Sequence, residues 1–286
     1  MGLRSLLKAP LRLALESTWL RRVLIYELRT RHFGDFAFEI PLTVDFACPI
    51  LQDRYVWSFS EIFVTGEYGD FLTETGLPAR WLDIGCHAGF FSLYLAWQHL
   101  RAGNDRFAGL LIDGDPRVAA DVERLLERTG LSSQLRFAHG AIGVSGGTVD
   151  FALRDRMGSS AGMEMSADRV TTVPVIDPAE LIRRFPPPYD LVKLDIEGAE
   201  DLFIDHYESV YHHSSNLLLE WHAWDPDGGE NERLRLRMKE RGFVLRRELQ
   251  PAHTHVIEGR TLDAGCHIYR NLAVAEPGSR VIAAGR

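Results

Sequence analysis

Residues 80–97 set out an acid, two glycines and an apolar run in an order that suits a ligand site: Asp83, Gly85 and Gly89, followed by Phe90-Phe-Ser-Leu-Tyr-Leu-Ala-Trp97. Gly85 and Gly89 have no Cβ, so the backbone can turn tightly between a strand and a helix and a ligand can approach it. A dinucleotide fingerprint would add a middle glycine and aim the helix amides at a pyrophosphate. Here Cys86 and His87 fill that gap, and an acid precedes the turn. An acid there suits a cationic ligand better than a phosphate. Downstream, Gly109-Leu-Leu-Ile-Asp113 reads as a second apolar strand ending in a carboxylate. One crossover helix separates it from the first, the spacing of a ribose-binding acid. Asp113 can then accept from both hydroxyls of a bound nucleoside. Its other reading is a solvated acid at a strand end. Asp115 as N-cap, Pro116 in the first turn, and Val118, Val122, Leu125 and Leu126 on one face predict the helix that follows.

The pattern Asp83-x-Gly85-x-x-x-Gly89 resembles motif I of the Rossmann-like methyltransferases, whose ligand S-adenosylmethionine is positive at its amino group and sulfonium. A third segment, Tyr189-Asp-Leu-Val-Lys-Leu-Asp-Ile-Glu-Gly-Ala-Glu200, is a strand ending in acids around Gly198. Ligands of open α/β sheets collect at the carboxyl ends of strands, so Asp195 and Glu197 face the same crevice as Asp83 and Asp113. With Glu61-Ile-Phe-Val-Thr-Gly-Glu-Tyr68 and Leu217-Leu-Leu-Glu-Trp-His222, this segment is similar to the FkbM family of S-adenosylmethionine-dependent methyltransferases, over about residues 58–275. The resemblance implies an α/β fold of the Rossmann-like class I methyltransferase type, a doubly wound, mostly parallel sheet with an antiparallel last strand. It assigns Asp83, Gly85 and Gly89 to the methionine and turn side of the cofactor, and Asp113 to the ribose. His87, Phe90 and Asp195 complete the expected cofactor-binding set. The chain departs from the family pattern in writing Cys86-His87 for Ala-Asn and Ile112-Asp113-Gly114 for Phe-Glu-Pro. A protonated His87 would stand near the sulfonium, which predicts weaker cofactor binding at low pH.

For methyl transfer the protein must align an acceptor lone pair and, for a hydroxyl acceptor, remove its proton. Asp195, Glu197 and His222 are the catalytic candidates on the crevice side. Asp195, Glu220 and His222 would also hold a divalent metal if the ends of their strands adjoin. Glu197 and Glu200 equally suit acids at a helix N-terminus, and His222 a strand-end histidine bonded to backbone. The resemblance implies O-methylation of a sugar, glycolipid or natural-product acceptor. Two other readings stay open: an NAD(P)-dependent Rossmann oxidoreductase, and a non-catalytic Rossmann-like binding module. The first lacks the middle glycine, and its Tyr189-x-x-x-Lys193 pair lies on a predicted strand, about 13 Å apart.

The elements that must position these residues alternate. Strands are predicted over residues 135–139, 148–152 and 216–221, and helices over 177–184, 199–211 and 230–241. Two late strands fall near 243–247 and 267–274. The 286 residues, 45% hydrophobic, suit one catalytic domain over 56–286 behind a basic, amphipathic extension over 1–55. Residues 1–34 carry seven basic and two acidic side chains, with Leu3, Leu6, Leu7, Leu11 and Leu15 near helical spacing. That pattern suits packing on the domain, a homodimer contact, or peripheral contact with the inner membrane surface. A net charge of −8 argues against a nucleic-acid groove. Cys48, Cys86 and Cys266 are too scattered for a disulfide framework or a zinc site, which suits the cytoplasm. Cys86 is expected to fill space, residues 155–164 to form a loop that closes over the site or simply moves at the surface, and His253-Thr-His255 to lie on a polar hairpin.

Overall fold

The computed structural model describes residues 38–43, 45–153, 160–161, 169–257 and 259–274. A hairpin comes first, β1 (Phe38–Pro41) and β2 (Ala47–Ile50), then α1 (Val56–Phe59), which runs into a π-helical turn over Ser60–Thr65, and α2 (Gly69–Thr75). Alternating units follow: β3 (Arg80–Ile84), α3 (Phe90–Arg101), β4 (Ala108–Asp113), α4 (Pro116–Thr129) and β5 (Leu135–His139). Strands β6 (Gly147–Leu153), β7 (Ser160–Ala161) and β8 (Arg169–Val175) make a small antiparallel sheet. The remainder is α5 (Pro178–Arg184), β9 (Tyr189–Leu194), α6 (Glu200–His206), α7 (Glu208–Tyr211), β10 (Ser214–Trp224), α8 (Glu230–Glu240), β11 (Phe243–Ile257) and β12 (Arg260–Asn271).

The main sheet has the order β11-β12-β10-β9-β3-β4-β5. Parallel ladders join β3 to β4 and β9, β4 to β5, and β9 to β10, whereas β12 runs antiparallel to both β10 and β11. The final strand is thus folded back between two strands that share the direction of the rest. This strand order is the doubly wound class I methyltransferase fold, as expected.

Successive residues of the central strands feed opposite faces. Trp81 and Leu191 join a core with α3, α4 and the first hairpin, while Leu82, Ile84, Val192 and Leu194 join one with α5 to α8. Helix α4 begins and packs as predicted. Asp115 accepts from the Arg117 N–H, Pro116 opens the first turn, and Val118, Val122, Leu125 and Leu126 are buried. Ile40, Leu42, Cys48, Ile50 and Tyr55 share the core of α3, so this part of the expected extension packs on the domain. Residues 1–37, which include the basic amphipathic pattern, lie outside the described residues, as do 155–159 and 162–164 of the anticipated loop.

Three features differ from expectation. The helix expected over 199–211 breaks at Tyr207, which takes a φ of −110°. Its hydroxyl is fastened instead between the Ile176 carbonyl (2.6 Å) and the Gly143 N–H (3.0 Å). The last hairpin is far longer than 243–247 and 267–274 imply, because residues 250–257 mix polar and apolar side chains, lie partly or fully exposed with no buried face, and are held to β12 by the backbone ladder and the Thr254–Asp263 hydrogen bond. Register shifts on either side of Gln250 accommodate Pro251 in this edge strand. Strand β8 and the first hairpin were not anticipated. Among the described residues no helix is long and apolar enough to cross a membrane.

Candidate active site

Between β3 and β9 the chain order reverses: β3 leads to β4 on one side and β9 to β10 on the other. A crevice opens at such a switch point, outside the carboxyl ends of the strands. Gly85 sits there with φ +78°, and a Cβ added to it would lie 1.6 Å from the Asp195 carbonyl oxygen. Only glycine lets the two tips close. The N–H groups of Gly85 and Cys86 both donate to the Ile112 carbonyl, at 2.9 and 3.0 Å, tying the turn to β4. Gly89 caps α3 in the left-handed region, φ +76°.

Asp113 ends β4 beside this turn. Its Oδ2 accepts from the His87 N–H (2.7 Å) and its Oδ1 from the Asp115 N–H (2.8 Å), and burial pushes its carboxyl up to about 6. Two backbone donors fix the carboxylate while leaving each oxygen a further lone pair. His87 has φ +46°, with Nδ1 3.0 Å from Ser58 Oγ and its ring edge-on to Tyr55. Burial, aided by the Arg54 charge, pushes the imidazole down to about 4. It is therefore neutral in mildly acidic solution, and the expected loss of cofactor binding from a charged His87 does not arise there.

Two expected cofactor residues face inward. Asp83 is fully buried, accepts from Ser92 Oγ (2.7 Å), and has Oδ1 3.8 Å from Lys193 Nζ. Ser92 in turn accepts from Trp81 Nε1 at 2.8 Å. Asp83 thus lies beneath the crevice, not in it, because its strand position points the side chain toward α3. The Phe90 ring is packed edge-to-face against Tyr55 and Phe59, so only the backbone of the first turn of α3 remains to offer a ligand. Cys86 is buried, and burial holds its thiol well above the ordinary range, as a space-filling residue requires.

On the β9 and β10 side the acids converge. Asp195 Oδ2 accepts from Lys193 Nζ (3.1 Å), which also reaches the Gly85 carbonyl at 3.3 Å. Burial alone would lower the Lys193 pKa, but Asp195, Asp83 and Glu220 raise it, so the ammonium stays charged. Two residues apart on β10, Glu220 and His222 share one face. Glu220 accepts from the Tyr68 hydroxyl at 3.4 Å, and burial with the Asp195 charge pushes its carboxyl up to about 8. His222 stands between two carboxylates: Nδ1 is 3.1 Å from Glu200 Oε1, and Nε2 is 3.6 Å from Glu197 Oε2. Burial opposes its charge, but these acids hold its pKa well above the ordinary value. Glu197 takes φ +57°, a backbone strain that only the surrounding structure can hold. One donor atom each from Asp195, Glu220 and His222 falls within 4.8 Å of the others, so the strand ends do adjoin.

The sequence does not single out Lys193, Glu200, Tyr68 or Ser58 for these places. Lys193 and Glu200 stand inside the quoted acidic segment, yet their partners Asp83 and His222 become neighbours only through sheet pairing. Glu61, on the π-helical turn, is raised to about 7 by burial and by the charges of Glu67 and Asp195. Such turns gather at functional sites. Trp221 is buried against His267, and Trp224 lies under the Arg260 guanidinium (5.6 Å), so both rings already have protein partners. His253 and His255 are exposed on the last hairpin, as expected.

No protein-family model and no curated protein matches the chain. Solved structures with similarity to it include the N-terminal domain of EvdMO1 with SAH bound, at 12% identity over 88% of this chain and 97% of that one, TM-score 0.48. TehB from Haemophilus influenzae is 13% identical over 74% of this chain and 65% of its own, TM-score 0.44. Precorrin-6y C5,15-methyltransferase from Geobacter metallireducens GS-15 is 9% identical over 71% and 85%, TM-score 0.41. At this level of likeness the strand order carries the fold.

Proposed function

We propose that the chain is an S-adenosylmethionine-dependent methyltransferase akin to the FkbM family, acting on a hydroxyl oxygen of a sugar, glycolipid or natural-product acceptor. The observation that supports this most is Asp113, fixed by two backbone N–H groups at the strand tip beside the Gly85 turn. A carboxylate oriented in that way, with lone pairs to spare, suits the paired hydroxyls of a ribose. The donor set around it fits the rest of the cofactor. Glu61, Glu67 and Asp195 interact with one another across the crevice and offer negative charge to a cationic methionine end. When bound, S-adenosylmethionine supplies an electrophilic methyl group on a positively charged sulfur.

The chain's own contribution is placement. The Gly85–Asp195 closure and the Lys193 contacts fix the floor of the site, and Asp195, Glu197 and His222 line the acceptor side. Charges held in such a partly desolvated crevice act more strongly than in water. Carboxylates there can receive the acceptor's hydroxyl proton. A dehydrogenase reading gains nothing from Tyr189 and Lys193: the phenol donates to the Phe185 carbonyl, and the ammonium is bound to Gly85 and Asp195.

Calorimetry of the full chain with S-adenosylmethionine, S-adenosylhomocysteine and NAD tests the proposal. We expect both sulfur nucleosides to bind, and Asp113→Ala to weaken them by about 10- to 100-fold, the loss of hydrogen bonds to a charged acceptor. Absence of binding to either, or preference for NAD, overturns it.

A further inference from the structure

We propose that Glu200 is a positioning residue: it holds His222 as an imidazolium that donates from both nitrogens, so that Glu197, and not the ring, takes the proton of an acceptor hydroxyl. The part given to the acceptor rests on the methyl-transfer reading; the state of the ring does not.

Three side chains form a line from the interior to the crevice. Glu200 is 5% exposed, His222 7% and Glu197 26%. Backbone anchors the inner end: Glu200 Oε1 accepts from the Ile196 N–H at 3.2 Å, and Oε2 from the Gly198 N–H at 3.0 Å. The same Oε1 stands 3.1 Å from His222 Nδ1, within hydrogen-bonding distance. A carboxylate has no proton to give, so the ring donates there and Nδ1 carries hydrogen. The other nitrogen, Nε2, meets a second carboxylate, Glu197 Oε2, at 3.6 Å. A neutral ring protonated at Nδ1 would turn a lone pair toward that acid, whereas a charged ring turns an N–H toward each.

The remaining neighbours act in the same direction. Asp195, at the tip of β9, supports the charge, and Glu220 lies two residues away on β10. Lys193 is engaged by Asp195, and Ala264, opposite His222 on β12, is uncharged. Together the acids outweigh the burial that opposes the charge. A ring that donates from both nitrogens keeps no lone pair for a hydroxyl proton or a metal ion. The 3.6 Å between Nε2 and Oε2 is too long for a good hydrogen bond, yet one oxygen about 2.7–3.0 Å from each spans it. An acceptor hydroxyl seated there accepts from the Nε2 N–H and donates to Glu197. As its O–H bond breaks, the proton passes to the Glu197 carboxylate and the electron pair stays on the acceptor oxygen.

The test is nitrogen-15 NMR of the His222 ring in the full chain, its signals assigned by their absence in His222→Gln, with S-adenosylhomocysteine binding measured on the same samples. We expect both ring nitrogens to be protonated across about pH 6 to 8 in the parent. Glu200→Gln should weaken that protonation at least about tenfold, so that the ring loses its charge at a pH lower by about one unit or more. Nucleoside affinity should stay unchanged. A neutral ring in the parent at about pH 7 overturns the proposal, and so does a Glu200→Gln ring that titrates as the parent's does. Should Glu200→Gln not fold, the same comparison is made with Glu197→Gln, and an unmoved titration there overturns it equally. A charged ring that responds to Glu200, in a chain that binds no nucleoside, upholds the role of Glu200 and refutes the methyl-transfer reading instead.

Discussion

At the residue scale, the acid at 113 and the histidine at 87 show how burial decides which group titrates. For the proposed ribose contact Asp113 must be ionised to accept from both hydroxyls, and burial raises its carboxyl to about 6. Affinity for S-adenosylhomocysteine should therefore fall as the pH drops through about 6, approaching tenfold per unit below it, and Asp113→Asn should remove that step. Replacing His87 by asparagine should leave the profile between pH 5 and 8 unchanged, since the imidazole is already neutral there. Calorimetry across that range checks both, and a step that survives in Asp113→Asn would assign it to another acid. The places of Asp113, Gly85 and Gly89 around the turn were legible in the sequence because motif spacing within one crossover unit reports on local backbone geometry. Asp83 was misplaced for a physical reason: the motif gives its position on β3 but not which face its side chain serves. Lys193 and Glu200 were illegible as a floor and an orienting acid because their partners lie on other strands.

At the element scale, the site depends on how closely the tips of β3 and β9 approach. Gly85→Ala would drive a methyl into the Asp195 carbonyl from a backbone angle that disfavours a side chain. We expect a loss of at least about 3 kcal/mol in denaturant unfolding together with loss of nucleoside binding. A variant as stable as the parent would show that the tips do not meet as described. The buried strands and α4 were readable from apolar runs, capping residues and helical periodicity. The long terminal hairpin was not, because its outer half is exposed on both faces and held mainly by backbone pairing, which leaves no alternating pattern. The first hairpin and β8 escaped for a related reason: strands this short become strands by finding a partner.

At the scale of the whole molecule, two cores on either face of the sheet hold the crevice, and one of them sets part of the acid sensitivity. His267 is fully enclosed beside Trp221 and Tyr269, and burial pushes its imidazole down to about 4. The unfolded chain takes up a proton there near its ordinary value of 6.5, while the folded chain does not until about 4. Its contribution is therefore present above about 6.5 and lost as the pH falls toward 4, amounting to roughly 3 kcal/mol. Between pH 7.5 and 4, His267→Gln should lose less stability than the parent by up to about that amount in paired denaturant melts. Parallel profiles would show that the imidazole is not held neutral. The central claim concerns where a cationic nucleoside lodges, and a crystal structure of the chain with S-adenosylhomocysteine tests it most directly. The ribose should lie on Asp113, with the sulfur over the crevice between Gly85 and Asp195. A ligand bound elsewhere, or a ribose out of reach of that carboxylate, would contradict the account.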